Sequence, residues 1–198
     1  MPQTQGSPSQ LWLAGEPAAD QLLSSNPLAL LLGMLLDQQI PMERAFRAPL
    51  ELKRRLGSLD AAEIAAMGPE AIEAAFVSPP ALHRFPRAMA DRFWQLCQIV
   101  VDCYGSRPEA IWEDAPSGDV LLARLAELPG FGIQKAQIFL ALLGKQLGIR
   151  PPGWREAAFP YGEPNSTLSV ADIRDPETLA AVRAHKAEAK RAAKGHGS

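Results

Sequence analysis

The 198-residue chain holds only two cysteines, three histidines and two tyrosines, and no lysine or arginine before Arg44. Two cysteines are too few for a disulfide framework or for a cysteine-held zinc or iron–sulfur site. Cys97 and Cys103 fall on different faces of one expected helix and read as plain core or boundary residues. The histidines, His83, His185 and His196, are scattered and match no metal-ligand or Ser-His-Asp spacing, so no metal and no cofactor is expected. Long apolar runs are missing as well. The longest, Leu28 to Leu36, is too short to span a bilayer and ends in Asp37-Gln38-Gln39; no signal peptide is recognisable, and the expectation is a cytoplasmic protein without membrane contact. A formal net charge of −2 argues against a blanket coat of nucleic acid, yet charge is uneven, with ten basic and six acidic residues from Gly132 onward.

What is present is ordinary globular material, 47% hydrophobic and 21% charged, long enough for one domain or two small lobes. The punctuation is helical throughout. Asn26-Pro27 reads as an N-cap and first helical residue of an all-round apolar, central helix. Met42 to Leu56 reads as a helix interrupted near Pro49. Asp60 caps Ala61 to Met67, and Pro69 starts Glu70 to Phe76. Pro86 to Tyr104 is a long amphipathic helix closed by Gly105, and Ser117 caps the next. After Gly148 comes a loop rich in Pro, Gly and aromatics, in which Trp154, Phe159 and Tyr161 need somewhere to pack. Ser169 to Ile173 and Pro176 to about Lys194 are helical again. The basic residues of the last helix suit either a solvated end or a phosphate-contacting arm.

The densest signal is Leu125 to Gly148. Pro129, Gly130 and Gly132 stop one helix, and Ile133, Ala136, Phe139, Leu140 and Leu143 recur at helical spacing in the next. Such a hairpin suits an anion. Glycines let backbone approach closely, and free N–H groups at the helix start supply donors and partial positive charge. Lys135 and Lys145 add attraction for a nucleic-acid backbone. The same residues also suit an ordinary αα-hairpin whose glycines merely close a turn. His83, Arg84 and Arg87 gather cations at the unfavourable end of the helix that begins at Pro86, a placement that a bound anion would relieve. Asp37 at a helix C-terminus is likewise unfavourable, and is either solvated at the turn or placed there for a purpose.

Leu-Pro-Gly-Phe-Gly followed by Lys-Ala and an apolar helix resembles the hairpin of the helix-hairpin-helix (HhH-GPD) DNA glycosylase superfamily, in the branch without an iron–sulfur cluster. The resemblance runs from about Pro27 to about Gly148. It implies an all-α, two-lobed fold with an interlobe cleft: a helical lobe over 27–148 containing the helix-hairpin-helix at about 121–147, a second lobe from 11–26 plus 149–194, a flexible lead over 1–10 and a flexible tail over 195–198. It implies double-stranded DNA bearing a lesion or mismatch as partner. DNA contacts would come from Gln38 and Gln39, with Gln39 filling the space of an extruded base, from Leu128, Gly130, Phe131, Gly132, Gln134, Lys135 and Lys145, and from Arg84 and Arg87. Trp154 would belong to the base pocket.

Two departures bear on activity. The superfamily's catalytic aspartate belongs near residues 149–156, where Glu156 is the only carboxylate; the lyase lysine belongs at the position of Gln134. One residue turns a helical side chain by about 100°, so Lys135 is not expected to reach the sugar. Glu156 substitutes for the aspartate, Asp37 acts in its place, or the hydrolytic group is absent. For Glu156 the alternative is a surface ion pair with Arg155 or Arg150. The expected function is therefore a monofunctional glycosylase, with a non-catalytic DNA-binding module of the same fold as the alternative and a helical protein–protein adaptor as a third reading.

Overall fold

The structure is a computed structural model that describes residues 10–195, and the side chains as far as Ala192. The lead expected over 1–10 and the tail expected over 195–198 fall, but for Gln10 and Gly195, outside the described residues. Eleven α-helices and one 3₁₀ turn, with no strand, make up the described chain. They are α1 (Pro17–Ser25), α2 (Pro27–Leu36), α3 (Met42–Leu56), α4 (Ala61–Met67), α5 (Pro69–Val77), α6 (Pro86–Tyr104), α7 (Ala110–Glu113), α8 (Gly118–Ala126), α9 (Ile133–Gln146), α10 (Trp154–Ala157), the 3₁₀ turn Val170–Asp172, and α11 (Pro176–Gly195).

The local rules that set these boundaries are met by named atoms. Asn26 Oδ1 accepts from Ala29 N–H at 2.9 Å, Asp60 Oδ1 from Ala62 and Glu63, and Ser117 Oγ from Val120. Gly57 and Gly105 close α3 and α6 in the left-handed conformation. The break expected near Pro49 does not occur: α3 runs through it. Pro49 removes one N–H from the ladder, and burial of Ala45, Phe46, Ala48 and Leu52 along the same helix holds the rest in register.

α2 is buried along nearly its whole length and forms the centre. Around it α1 lies on α2 and α3, and α6 lies on α4 and α5; on the other side α8 and α9 form the hairpin, with α10 and the 3₁₀ turn packed against α9. The grouping expected from resemblance, 11–26 with 149–194, is thus not the observed packing. The N-terminal segment belongs with α2 and α3. Buried Asp20, 2% exposed, fixes it there by accepting from the N–H groups of Leu13 and Ala14 at 2.8 and 2.7 Å. Residues 149–173 belong with α8 and α9. A single apolar cluster runs through both groups. No described helix is long and apolar enough by itself to cross a membrane.

Candidate functional site

The end of α2 and the start of α9 meet, and everything at the site follows from how they meet. The last carbonyls of a helix lack intrahelical partners and carry its negative dipole end. Lys135, one turn into α9, supplies the missing donor: its Nζ donates to the carbonyls of Met34, Leu35 and Asp37 at 2.5, 3.0 and 3.4 Å. The ammonium also stands 5.9 Å from the Phe131 ring centroid. Burial pushes its pKa down to about 8, against the pull of Asp37, so it remains charged at neutral pH. Expected as a free cation facing DNA, Lys135 is instead committed inward.

Gly130 and Gly132 differ in what requires them. Gly130 has φ +76°, and a Cβ there would overlap Leu35 Cδ1 and sit 3.1 Å from Arg92 Cδ. It is needed for the hairpin to seat on α2. Gly132 has φ −95° and ψ 177°, an extended conformation open to any residue, and nothing lies within 4 Å of a Cβ built on it. The turn therefore does not need glycine at Gly132, contrary to the sequence reading. What glycine leaves there is open space beside the N–H groups of Ile133, Gln134 and Lys135, the first turn of α9, with no side-chain cap. Leu128 and Phe131, expected as contacts, are buried; Phe131 packs edge-on against Phe139 at 6.1 Å and shapes the hairpin from inside.

Beside this end lies a cavity of about 680 Å³, within the roughly 300–1,000 Å³ of small-ligand sites. Asp37, Gln38, Gln39, Gln134 and Lys135 all line it, so five of the residues singled out from sequence are brought together. Its other walls come from Pro160 and Tyr161, from Leu168 to Val170, and from His185, Lys186 and Ala189 of α11. Burial raises the Asp37 pKa, and the charges of Lys186 and Lys135 pull it back. Lys135 thus answers both faults of a carboxylate at a helix C-terminus: it caps the carbonyls and offsets the charge.

The turn after Asp37 is held firmly. Gln38 Nε2 donates to the Leu35 carbonyl at 2.7 Å. His83, buried, accepts the Phe85 N–H on Nδ1 at 3.0 Å, which leaves Nε2–H to donate to the Gln38 carbonyl at 2.9 Å. Burial lowers the His83 pKa, in keeping with a neutral ring. Gln39 follows in the left-handed region, φ 58°, and stands exposed at the mouth.

The remaining expected residues lie elsewhere. Trp154 is buried against α9, where its ring covers Gly144, and it does not line the cavity. Its place in the base pocket is overturned: Gly144 leaves a flat slot on α9 that the indole fills. Lys145, expected to attract a nucleic-acid backbone, is buried in an ion pair with Asp172 at 2.5 Å. Asp172 does cap its turn, accepting from Ser169 N–H at 3.2 Å. Glu156 is exposed in a separate surface depression with Arg155, Phe159 and Glu163; it does not line the cavity, and the alternative ion pair to Arg155 or Arg150 is not formed either. Arg84 stacks over Phe85 at 5.4 Å, and Arg87 pairs with Glu73 at 3.3 Å, both on the surface.

Arg92, beside Gly130, escapes the sequence reading; His83, Tyr161 and Lys186 are noted in it, but not as the pin of Gln38 or as walls of the cavity. The position of Tyr161 depends on a loop whose path no periodicity reveals. Among the described residues no group of three His, Cys, Asp or Glu side chains is placed to hold a metal ion. No family model, curated protein or solved structure matches the chain.

Proposed function

We propose that the protein binds double-stranded DNA carrying a damaged or mismatched base and hydrolyses the N-glycosidic bond of that base, as a monofunctional glycosylase of base excision repair with the two-lobed helix-hairpin-helix fold. One observation carries the reading: the open, donor-bearing start of α9 and the Asp37 carboxylate border the same nucleotide-sized cavity. A phosphate held at Gly132 and the following N–H groups fixes the strand without reading sequence, and an extruded base enters the cavity. Gln39, presented at the mouth, occupies the space left in the stack.

Asp37 is the carboxylate of this mechanism. As the bond from C1′ to the base breaks, positive charge grows on the sugar, and an ionised Asp37 stabilises it. The bonding electron pair leaves with the base; water then adds to C1′ and gives its proton to the carboxylate, from which it passes to the departed base, leaving an intact strand with an abasic site. Because burial raises its pKa, the rate rises with pH as Asp37 deprotonates and is level above that point. Lys135 does not act as an amine nucleophile: its nitrogen is engaged with three carbonyls of α2.

The test is single-turnover incubation with duplexes bearing a panel of lesions and mismatches, followed by alkali. Asp37→Asn is expected to lose at least about a hundredfold in rate and still bind DNA, while Glu156→Gln retains the wild-type rate. The position of Glu156 outside the cavity gives weight to a second reading, a non-catalytic module that recognises distorted DNA. Salt-dependent binding without excision across the whole panel would select it.

A further inference from the structure

The two most exposed large apolar side chains among the described residues are one at the start of α9 and one on the chain tied to that helix. Ile133 is 60% exposed and Phe159 62%. Neither sits on loosely held chain. Gln137, one turn from Ile133 on the same face of α9, donates from Nε2 to the Phe159 carbonyl at 3.0 Å. Gln134, on the face turned toward the cavity, donates to the Tyr161 hydroxyl at 2.8 Å. Two glutamines therefore strap residues 159–161 along the first two turns of α9. Pro160 and Tyr161 form cavity wall, whereas Phe159, the residue before them, faces the neighbouring depression with Arg155, Glu156 and Glu163.

The hydrogen bond fixes the Phe159 backbone and leaves most of its ring in solvent. We propose that Phe159, the residue before the cavity-lining Pro160, is a stacking shelf for an unpaired nucleobase beside the cavity. The proposal rests on the DNA-binding reading above. Its chemistry is that of base–aromatic stacking, which any base satisfies with its π-face. Charge beside Phe159 is mixed, with Glu156 and Glu163 repelling phosphate and Arg155 attracting it, while the open N–H groups after Gly132 offer the anion site on α9. The sugar–phosphate backbone then runs past Gly132 with the base turned over Phe159.

The experiment compares the full chain and its variants on two duplexes of one sequence, measured by fluorescence anisotropy at fixed low salt. One duplex is fully paired; the other carries a single 2-aminopurine opposite an abasic site. Phe159→Ala is expected to weaken binding of the second duplex about tenfold, to abolish the quenching of 2-aminopurine emission on binding, and to leave the paired duplex unaffected. Phe159→Tyr restores both signals. Phe159→Leu, which keeps apolar bulk but has no π-face, behaves as Phe159→Ala. Equal loss on both duplexes, no loss on either, or full quenching by Phe159→Leu overturns the shelf while leaving the DNA reading intact. A wild-type protein that binds neither duplex in a salt-dependent way overturns the DNA reading, and the shelf with it.

Discussion

The two ends of α9 carry similar residues and are built for opposite purposes. Each has glycine and lysine within a few positions, Gly132 and Lys135 at the start, Gly144 and Lys145 near the end. At the far end every group is covered. Trp154 lies on Gly144, Lys145 and Asp172 pair with side chains 6% and 5% exposed, and Gln146 Nε2 donates to the carbonyls of Val170, Ala171 and Ile173. At the near end the lysine is equally committed, but Gly132 faces open space and Ile133 faces solvent. The difference teaches where ligand belongs. On the proposed function, the polar groups left open mark the working end; a charge alone does not.

The comparison breaks most visibly at the closed end. Lys145→Met leaves Asp172 buried without its cation and is expected to cost about 3–5 kcal/mol in urea denaturation. Adding Asp172→Asn recovers part of that loss. If Lys145→Met instead keeps its stability and weakens DNA binding, the far end is a DNA contact after all and the contrast between the ends is lost.

A smaller effect separates the two hairpin glycines. Gly130→Ala forces a side chain into positive φ and against Leu35, and is expected to cost about 1–3 kcal/mol. Gly132→Ala falls within about 0.5 kcal/mol of wild type, as an exposed site without strain. Similar losses at both positions would show that the turn, not the opening, is what Gly132 serves.

A pH-dependent effect belongs to Lys135. Its pKa in the fold, about 8, lies below the 10.5 of an ordinary lysine, so the unfolded chain binds more protons between those values. Stability contributed by Lys135 is therefore gained as pH rises from about 8 toward 10.5, and is lost as pH falls back. Subtracting the pH profile of Lys135→Met from that of the wild type isolates it. A flat difference would mean that Nζ is solvated and not held by α2.

Much of this was legible in the chain. The caps at Asn26, Asp60 and Ser117 and the stops at Gly105 and Gly130 are local chemistry, which sequence records directly. So is the incongruity of Asp37 at a helix end, although the cause that offsets it, Lys135, is about a hundred residues away. Distance in the chain is what hid the rest. Whether Lys145 faces DNA or Asp172, whether Trp154 lines a pocket or covers Gly144, and whether Glu156 approaches Asp37 all depend on the path of 149–173, a segment with too little periodicity to orient. The uncapped opening at Gly132 was hidden too, since a glycine required by φ and a glycine required by space are the same letter.

The central claim, that the open start of α9 anchors the DNA backbone, is tested most directly by one pair of binding isotherms. Wild type and Gly132→Val are titrated with the same undamaged duplex at fixed low salt, after equal thermal melting has shown that both are folded. Valine fits the extended backbone without strain and fills the space where a phosphate would sit. The expected result is at least about a tenfold loss of affinity, the equivalent of one or more charge-assisted hydrogen bonds, for duplexes of any sequence. Equal affinity of the two proteins would contradict the account.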